Sequence, residues 1–422
     1  MITLQPASIR GSLMLPASKS MTHRAYILAA LSGKPVEILH PLVSDDTRIT
    51  AECLRRLGYD VVEEPQATHI NRIPRKQLER VSLDFGMSGT TARLMTAYSA
   101  LFDIPITLDG AHRMRERPMK ELFCALEELG CKIEHTNYFL PAHIVSPIRS
   151  ALTHIHAGAS SQFLSALLLI APYTPHGLEI RVEGEIASRS YSDMTIAMME
   201  EYGIVVGRTV HGYSVSNRQE YIIPRQMRVE RDFSSASYCI AGAAITQGDV
   251  FLESARIPSL QGDSAMLDIA EAFGAIITHE QNGIRIQGAA CKSVDVDMNT
   301  CPDIVPTVAV MAMFGSAPSR LREVAHLRFK ESDRIEAVLS NIHRLGGEGY
   351  MDGNDMIIVP VPHDTLHGAV IDVFDDHRIA MCFAVAGLRI PGVQIAHPHV
   401  VAKSFPTFWA EWDSICKRAH TL

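Results

Sequence analysis

A glycine that ends a helix recurs along this 422-residue chain at nearly constant spacing. Leu57-Gly58, Leu129-Gly130, Tyr202-Gly203, Phe273-Gly274 and Leu345-Gly346 each close a helical stretch and open a β-like segment, and the glycines stand 72, 73, 71 and 72 residues apart. Glycine just past a helix takes the left-handed conformation without a Cβ penalty. A second series interleaves with the first. Ser20, Ser88, Ser160, Ser234, Asp303 and His377 each head a run rich in small apolar residues, such as residues 25–31 and 163–169. Helices that are apolar nearly all round lie inside a domain. Each unit therefore holds one buried helix, one amphipathic helix and short strands, which makes it a small α/β unit rather than a solenoid repeat.

Six such units exceed one core, because single cores stop growing near ~250 to 300 residues. The expected division is two domains of three units each. No Gly, Ser and Pro linker separates them, so the chain crosses between domains at two close points. A hydrophobic content of 47% with 20% charged residues is that of a globular protein. No run approaches the ~18 apolar residues of a membrane span. The start, Met1-Ile2-Thr3-Leu4-Gln5, lacks the basic and apolar stretches of a signal peptide, so a cytoplasmic address is expected. The eight cysteines lie apart without CxxC spacing and read as reduced thiols. A net charge of −8 argues against nucleic acid as the partner.

An anionic ligand must then be held by a local cluster, and helix N-termini offer one through free N–H groups and the helix dipole. Lys19, Ser20 and Arg24 sit together at the first helix start. Gly86-Met87-Ser88-Gly89 makes a turn into the second, where a ligand can approach the backbone. Arg113, Arg115 and Arg117 follow, and their spacing alone does not separate solvated arginines from bidentate anion binders. Ser160-Ser161-Gln162 and Ser188-Arg189-Ser190-Tyr191 carry groups for a polyhydroxylated substrate, with helix capping as the rival account of the serines. The last third is denser: Asp303, Lys330-Glu331-Ser332-Asp333-Arg334, Asp375-Asp376-His377-Arg378 and Lys403 mix acids with cations, as proton transfer on an anionic substrate requires.

Residues 16–24, 88–93, 113–118, 160–164, 234–238, 330–334, 376–378 and 402–406, in this order, resemble the motif series of the 5-enolpyruvylshikimate-3-phosphate synthase family. The resemblance implies an α/β, two-domain enolpyruvyl transferase fold, each domain being three βαβαββ repeats around parallel buried helices. Residues 1–18 and 229–422 would form the domain with both termini and 19–228 the inserted one, with the active site in the cleft between them. It implies transfer of the enolpyruvyl group of phosphoenolpyruvate to the 5-hydroxyl of shikimate 3-phosphate, with release of phosphate by addition and elimination. Lys19, Asp303, Glu331 and His377 would be catalytic. Shikimate 3-phosphate would be held by Lys19, Ser20, Arg24, Ser160, Ser161, Gln162, Ser188, Tyr191, Asp303 and Lys330. Phosphoenolpyruvate would be held by Lys19, Gly89, Arg117, Gln162, Arg334, Arg378 and Lys403. A monomer acting on small molecules, with no cofactor, metal, nucleic acid or membrane, completes the expectation.

The chain departs from the family's commonest pattern at His23, Met87, Arg231 and His326. The related transferase acting on UDP-N-acetylglucosamine uses a loop Cys or Asp as acid, and residues 113–118 contain neither. In the family glyphosate competes with phosphoenolpyruvate, and retention of Gly89 implies sensitivity.

Overall fold

The structure, a computed structural model, describes residues 1–73, 78–156, 158 and 160–417. All five repeat glycines take the left-handed conformation, with φ of 90° at Gly58, 81° at Gly130, 88° at Gly203, 116° at Gly274 and 78° at Gly346. A Cβ in that region is strained, so the spacing read from the sequence marks true helix stops.

The chain divides into two compact units, Met1–Pro16 with Glu230–Leu422 and Ala17–Val229. In the second, the buried helices are Lys19–Ser32, Gly89–Ser99 and Ser161–Ile170. Each packs beside a four-stranded sheet in which the first two strands are parallel and a returning hairpin is antiparallel. Val81–Asp84, Ile106–Asp109, Phe139–Ser146 and Lys132–Thr136 show the pattern, with Val81 paired to Ile106 and Ile106 to Ile144. In the first sheet the leading strand is missing from the sequence position where it belongs. Gln226–Arg228, the last strand of the unit, fills it by pairing in parallel with Val36–Leu39.

The other unit repeats this with helices Phe233–Thr246, Val305–Ala312 and His377–Ala386. Every residue from Phe233 to Ile245 is buried. Its sheets are completed by the chain ends. Ser8–Met14 leads the first, parallel to Asp249–Glu253, and Ile2–Thr3 pairs antiparallel with Gln394–Ile395 in the third. The outer helices are amphipathic: Arg334–Arg344 buries Ile335, Val338 and Ile342 at positions i, i+3 and i+7 against the core. Arg231 donates to the Leu15 carbonyl at 3.0 Å and the Asp232 N–H to that of Pro16 at 2.9 Å, binding the two chain crossings together. The two-domain α/β expectation is met.

Four of the expected helix starts are displaced. Ser18, Asp232 and Asp376 are the N-cap residues where Ser20, Ser234 and His377 were expected, and Asp303 lies in a 3-10 turn, Pro302–Ile304, ahead of its helix. At two of them an aspartate carboxylate accepts a first-turn N–H and meets the positive helix end, Asp232 from Ser235 at 2.6 Å and Asp376 from Arg378 at 2.9 Å.

Candidate active site

In the unit Ala17–Val229, the N-termini of the buried helices come together. Gln162 Nε2 donates to Thr90 Oγ1 at 3.1 Å, joining the starts of the Ser161 and Gly89 helices. Lys19 Nζ lies 3.1 Å from Asp46 Oδ2, and both side chains are almost fully buried. A buried ammonium requires such a counter-charge. Behind this pair runs a chain of contacts of 2.7 Å each, from His23 Nδ1 to Thr50, from Thr50 to Thr91 and from Thr91 to Ser88. Burial drives the His23 pKa down to about 3, so its ring is neutral.

Arg24 is a cross-brace. Its Nε donates to Thr195 Oγ1 at 2.7 Å, Nη1 to the Ser20 carbonyl at 2.9 Å, and Nη2 to Ser165 Oγ at 3.2 Å and the Tyr191 carbonyl at 2.9 Å. It thus ties its own helix to Ser161–Ile170 and Arg189–Glu201. Ser160 caps its helix by accepting the Gln162 N–H at 3.2 Å, and Ser161 is buried within the first turn. Ser188 is a buried N-cap at φ 57°, a conformation uncommon outside glycine.

The three arginines that spacing could not separate are separated here. Arg113 pairs with Glu116 at 2.8 Å, and Arg115 is bidentate to Asp109 at 2.9 and 2.8 Å, both at the surface. Arg117 is only 7% exposed, and its guanidinium lies against Gly89, where an added Cβ would sit 2.6 Å from Cζ. Arg93 fixes this approach by donating to the Gly89 carbonyl at 3.1 Å and the Pro118 carbonyl at 3.0 Å.

In the unit with both termini, Arg334 organises the acidic groups. It is 1% exposed, and its Nε donates to Asp376, Nη1 to Asp303 and Nη2 to Glu331, each at 2.8 Å. Asp303, whose side chain is 16% exposed, gives its other oxygen to Arg378 Nη2 at 2.7 Å. Burial alone would raise the Asp303 pKa, but Arg378, Arg334 and Lys330 outweigh it and hold the carboxyl below the usual carboxylate range. Burial likewise works against the Arg334 charge, yet Asp376, Glu331 and Asp303 outweigh it and raise the guanidinium. Lys403 Nζ stands 4.0 Å from Glu331 Oε1. His377 is fully buried with Nδ1 3.6 Å from Asp376 Oδ1. His326 is pulled down to about 4, by burial first and then by the charge of Lys330.

Sequence reasoning placed Asp376 in a stretch mixing acids with cations but gave it no role, and it missed Asp46 and Asp263 as members of these clusters. Asp46 follows Ser44 at the start of the Asp45–Arg56 helix and reads locally as a first-turn acid. Asp376 adjoins His377, and the role at that helix start was given to His377 alone. Asp263 stands in an unremarked Gln261-Gly262-Asp263 turn. Residues with both charge signs cannot all be satisfied at the surface of a buried helix start, and that excess was the available signal.

The chain matches the EPSP synthase (3-phosphoshikimate 1-carboxyvinyltransferase) family over residues 4–412. It is 42% identical to 3-phosphoshikimate 1-carboxyvinyltransferase of Syntrophobacter fumaroxidans, covering 98% of this chain and 99% of that protein. With the Haemophilus influenzae protein of the same name the identity is 36%, covering 99% of each. Among solved structures, EPSP synthase from Acinetobacter baumannii shares the fold at a TM-score of 0.82 and 24% identity, over 98% of this chain and 97% of that one. The enolpyruvyl transferase NikO from Streptomyces tendae shares it at 0.76 and 11% identity, again over 98% and 97%. By full-length sequence similarity, this chain belongs to the EPSP synthase family.

Proposed function

We propose that this protein transfers the enolpyruvyl group of phosphoenolpyruvate to the 5-hydroxyl of shikimate 3-phosphate and releases phosphate. Family membership over nearly the whole chain carries the reading, and the two charge clusters supply the chemistry it needs. Phosphoenolpyruvate brings a carboxylate and a phosphate. Arg117, Arg334, Arg378, Lys19 and Lys403 are the cations for them, Arg because it matches planar and tetrahedral oxyanions bidentately and Lys because it also exchanges a proton. Gly89, having no Cβ, lets the Arg117 guanidinium lie against the helix start. Ser20, Ser160, Ser161, Gln162, Ser188 and Tyr191 hydrogen-bond the hydroxyls and phosphate of the other substrate, with Arg24 bracing three of their helices.

In the addition step, C3 of phosphoenolpyruvate gains a proton while the substrate oxygen bonds C2 and its O–H bond breaks. Asp303 takes the hydroxyl proton, and Glu331 and Lys19 move the carbon proton in and out. Phosphate then leaves with its electron pair as C3 loses a proton. Arg378, Arg334 and Lys330 keep Asp303 ionised, and the three carboxylates Asp376, Asp303 and Glu331 in turn hold Arg334, which would otherwise be a buried charge costing several kcal/mol. His377 acts through Asp376, which it adjoins. Residues 1–18 with 229–422, and 19–228, act as the two domains, and the protein works as a cytoplasmic monomer.

Phosphate release tests the reading. Purified protein with shikimate 3-phosphate and phosphoenolpyruvate releases phosphate and yields the enolpyruvyl ether. No release, or release only with UDP-N-acetylglucosamine as acceptor, overturns it.

A further inference from the structure

Asp263 is a buried carboxylate that the reaction scheme does not use. It is 4% exposed, in the short 3-10 turn Gly262–Ala265 that packs against both the Phe233–Thr246 helix and the Pro302–Ile304 turn carrying Asp303. One of its oxygens accepts a hydrogen bond from the Ser234 hydroxyl, and the other, Oδ1, is buried without a hydrogen-bond partner. A buried carboxylate with an unsatisfied oxygen is costly, and such groups persist where they perform a task.

The neighbours state the task. Asp303 faces Asp263 from the Pro302–Ile304 turn, Arg378 from the His377–Ala386 helix, and Asp232 and Ser234 from the start of the Phe233–Thr246 helix. Asp268 and Glu271, on the adjoining Met266–Phe273 helix, point to solvent. Two arginines hold both oxygens of Asp303, which makes Asp303 a weak base for a hydroxyl proton. A second carboxylate beside it works in the opposite direction, because a neighbouring negative charge raises proton affinity.

We propose that Asp263 is a positioning residue for the transfer reaction, whose charge strengthens Asp303 as acceptor of the 5-hydroxyl proton and offsets the pull of Arg378. This rests on the role of Asp303 stated above. The proton passes from the substrate hydroxyl to Asp303, while Asp263 exchanges its own proton only with solvent and touches no reacting atom. Burial, and then the charge of Asp303, push Asp263 up to about 7, so it gains its charge within the working range of an enzyme.

The test is the pH profile of kcat from pH 6 to 8.5 for wild type, Asp263→Asn, Ser234→Ala and Asp303→Asn. In the ratio of Asp263→Asn to wild type, the ionisations of the substrates cancel. Asparagine cannot acquire the charge, so this ratio falls roughly threefold to tenfold across the range, as partial Brønsted sensitivity to Asp303 basicity requires. A merely structural role leaves the ratio flat, which overturns the proposal. Should Asp263→Asn not fold, Ser234→Ala decides. Loss of a donor to the carboxylate moves the inflexion to higher pH, and an unmoved inflexion overturns the proposal. An Asp303→Asn variant with wild-type kcat removes the underlying role of Asp303 instead, so the two failures are told apart.

Discussion

Gly89→Ala isolates the contact between a helix start and the Arg117 guanidinium. The new methyl carbon would stand 2.6 Å from Arg117 Cζ, whereas carbons rest at about 3.5 to 4.0 Å. One partner must move by roughly 1 Å. The backbone at Gly89 is held by Arg93, which bonds its carbonyl, and by the Ser88 cap, so the guanidinium yields. Only the end of a flexible side chain shifts, and the melting temperature stays within a few degrees of wild type. Activity does not escape, since a 1 Å misplacement of a positioning group costs up to about 10²-fold. Losing one charge-assisted contact, at about 1.5 to 3 kcal/mol, gives a similar roughly 10- to 150-fold fall in kcat/KM for phosphoenolpyruvate. Glyphosate, the longer molecule, meets the methyl as well as the displaced arginine, so its inhibition constant rises more than KM. Steady-state kinetics on Gly89→Ala, Arg117→Ala and the double variant provides the check. Because the methyl acts through Arg117, it costs little once Arg117 is gone. Additive losses, or equal shifts in the inhibition constant and KM, refute the reasoning.

Lys19→Met lowers kcat by ~10²-fold or more, the usual contribution of such an electrostatic group, and a variant keeping over a tenth of wild-type turnover removes Lys19 from the chemistry. It also destabilises the unit by ~3 to 5 kcal/mol, because Asp46 keeps its buried charge without this ammonium, and calorimetry reads that loss. Glu331→Gln and Asp303→Asn depress kcat far more than they raise KM; a change in KM alone makes both binding residues. His23, neutral in the fold with its pKa at about 3 against 6.5 when unfolded, makes stability pH-dependent. The folded value is the lower one, so its contribution is complete above pH 6.5 and drains as pH falls towards 3, by up to ~1.4 kcal/mol per pH unit. His23→Asn lacks this slope in denaturant titrations between pH 4 and 7, and parallel curves for the two proteins count against the assignment.

The six-unit plan was legible because its signals are local. A left-handed stop needs only one glycine, and Phe233 to Ile245 announces burial by composition alone. The strands that close the sheets were not legible. Gln226–Arg228 pairs with Val36–Leu39 across most of a domain's sequence, and Ile2–Thr3 with Gln394–Ile395 across almost the whole chain, with two or three residues each. Segments so short carry no period, and only the tertiary fold selects their partner. The capping errors have a related origin. Polar residues cluster at Ser18-Lys19-Ser20 and Asp376-His377, and which one caps depends on where the chain enters the helix.

Charges behave differently, because sequence shows their presence but not what they face. Arg113, Arg115 and Arg117 look alike in the chain, and nearby acids remove two of them: Glu116 holds the first and Asp109 the second. Arg117 stands apart because Arg93 fixes the turn beside it from another helix, a relation no local pattern carries. Arg24 shows the converse. Its place next to Lys19 and Ser20 suggests a ligand cation, yet four of its hydrogen bonds go to protein atoms in three helices. Any anion it meets must share that guanidinium with the packing of its unit. Arg334 belongs to the same class: only Glu331, three residues earlier, could be guessed as its partner, while Asp303 and Asp376 reach it from separate repeats. A repeat fold that brings helix starts together therefore concentrates charge by topology, and the sequence reveals the concentration only as an excess of acids and cations beside residues that must be buried.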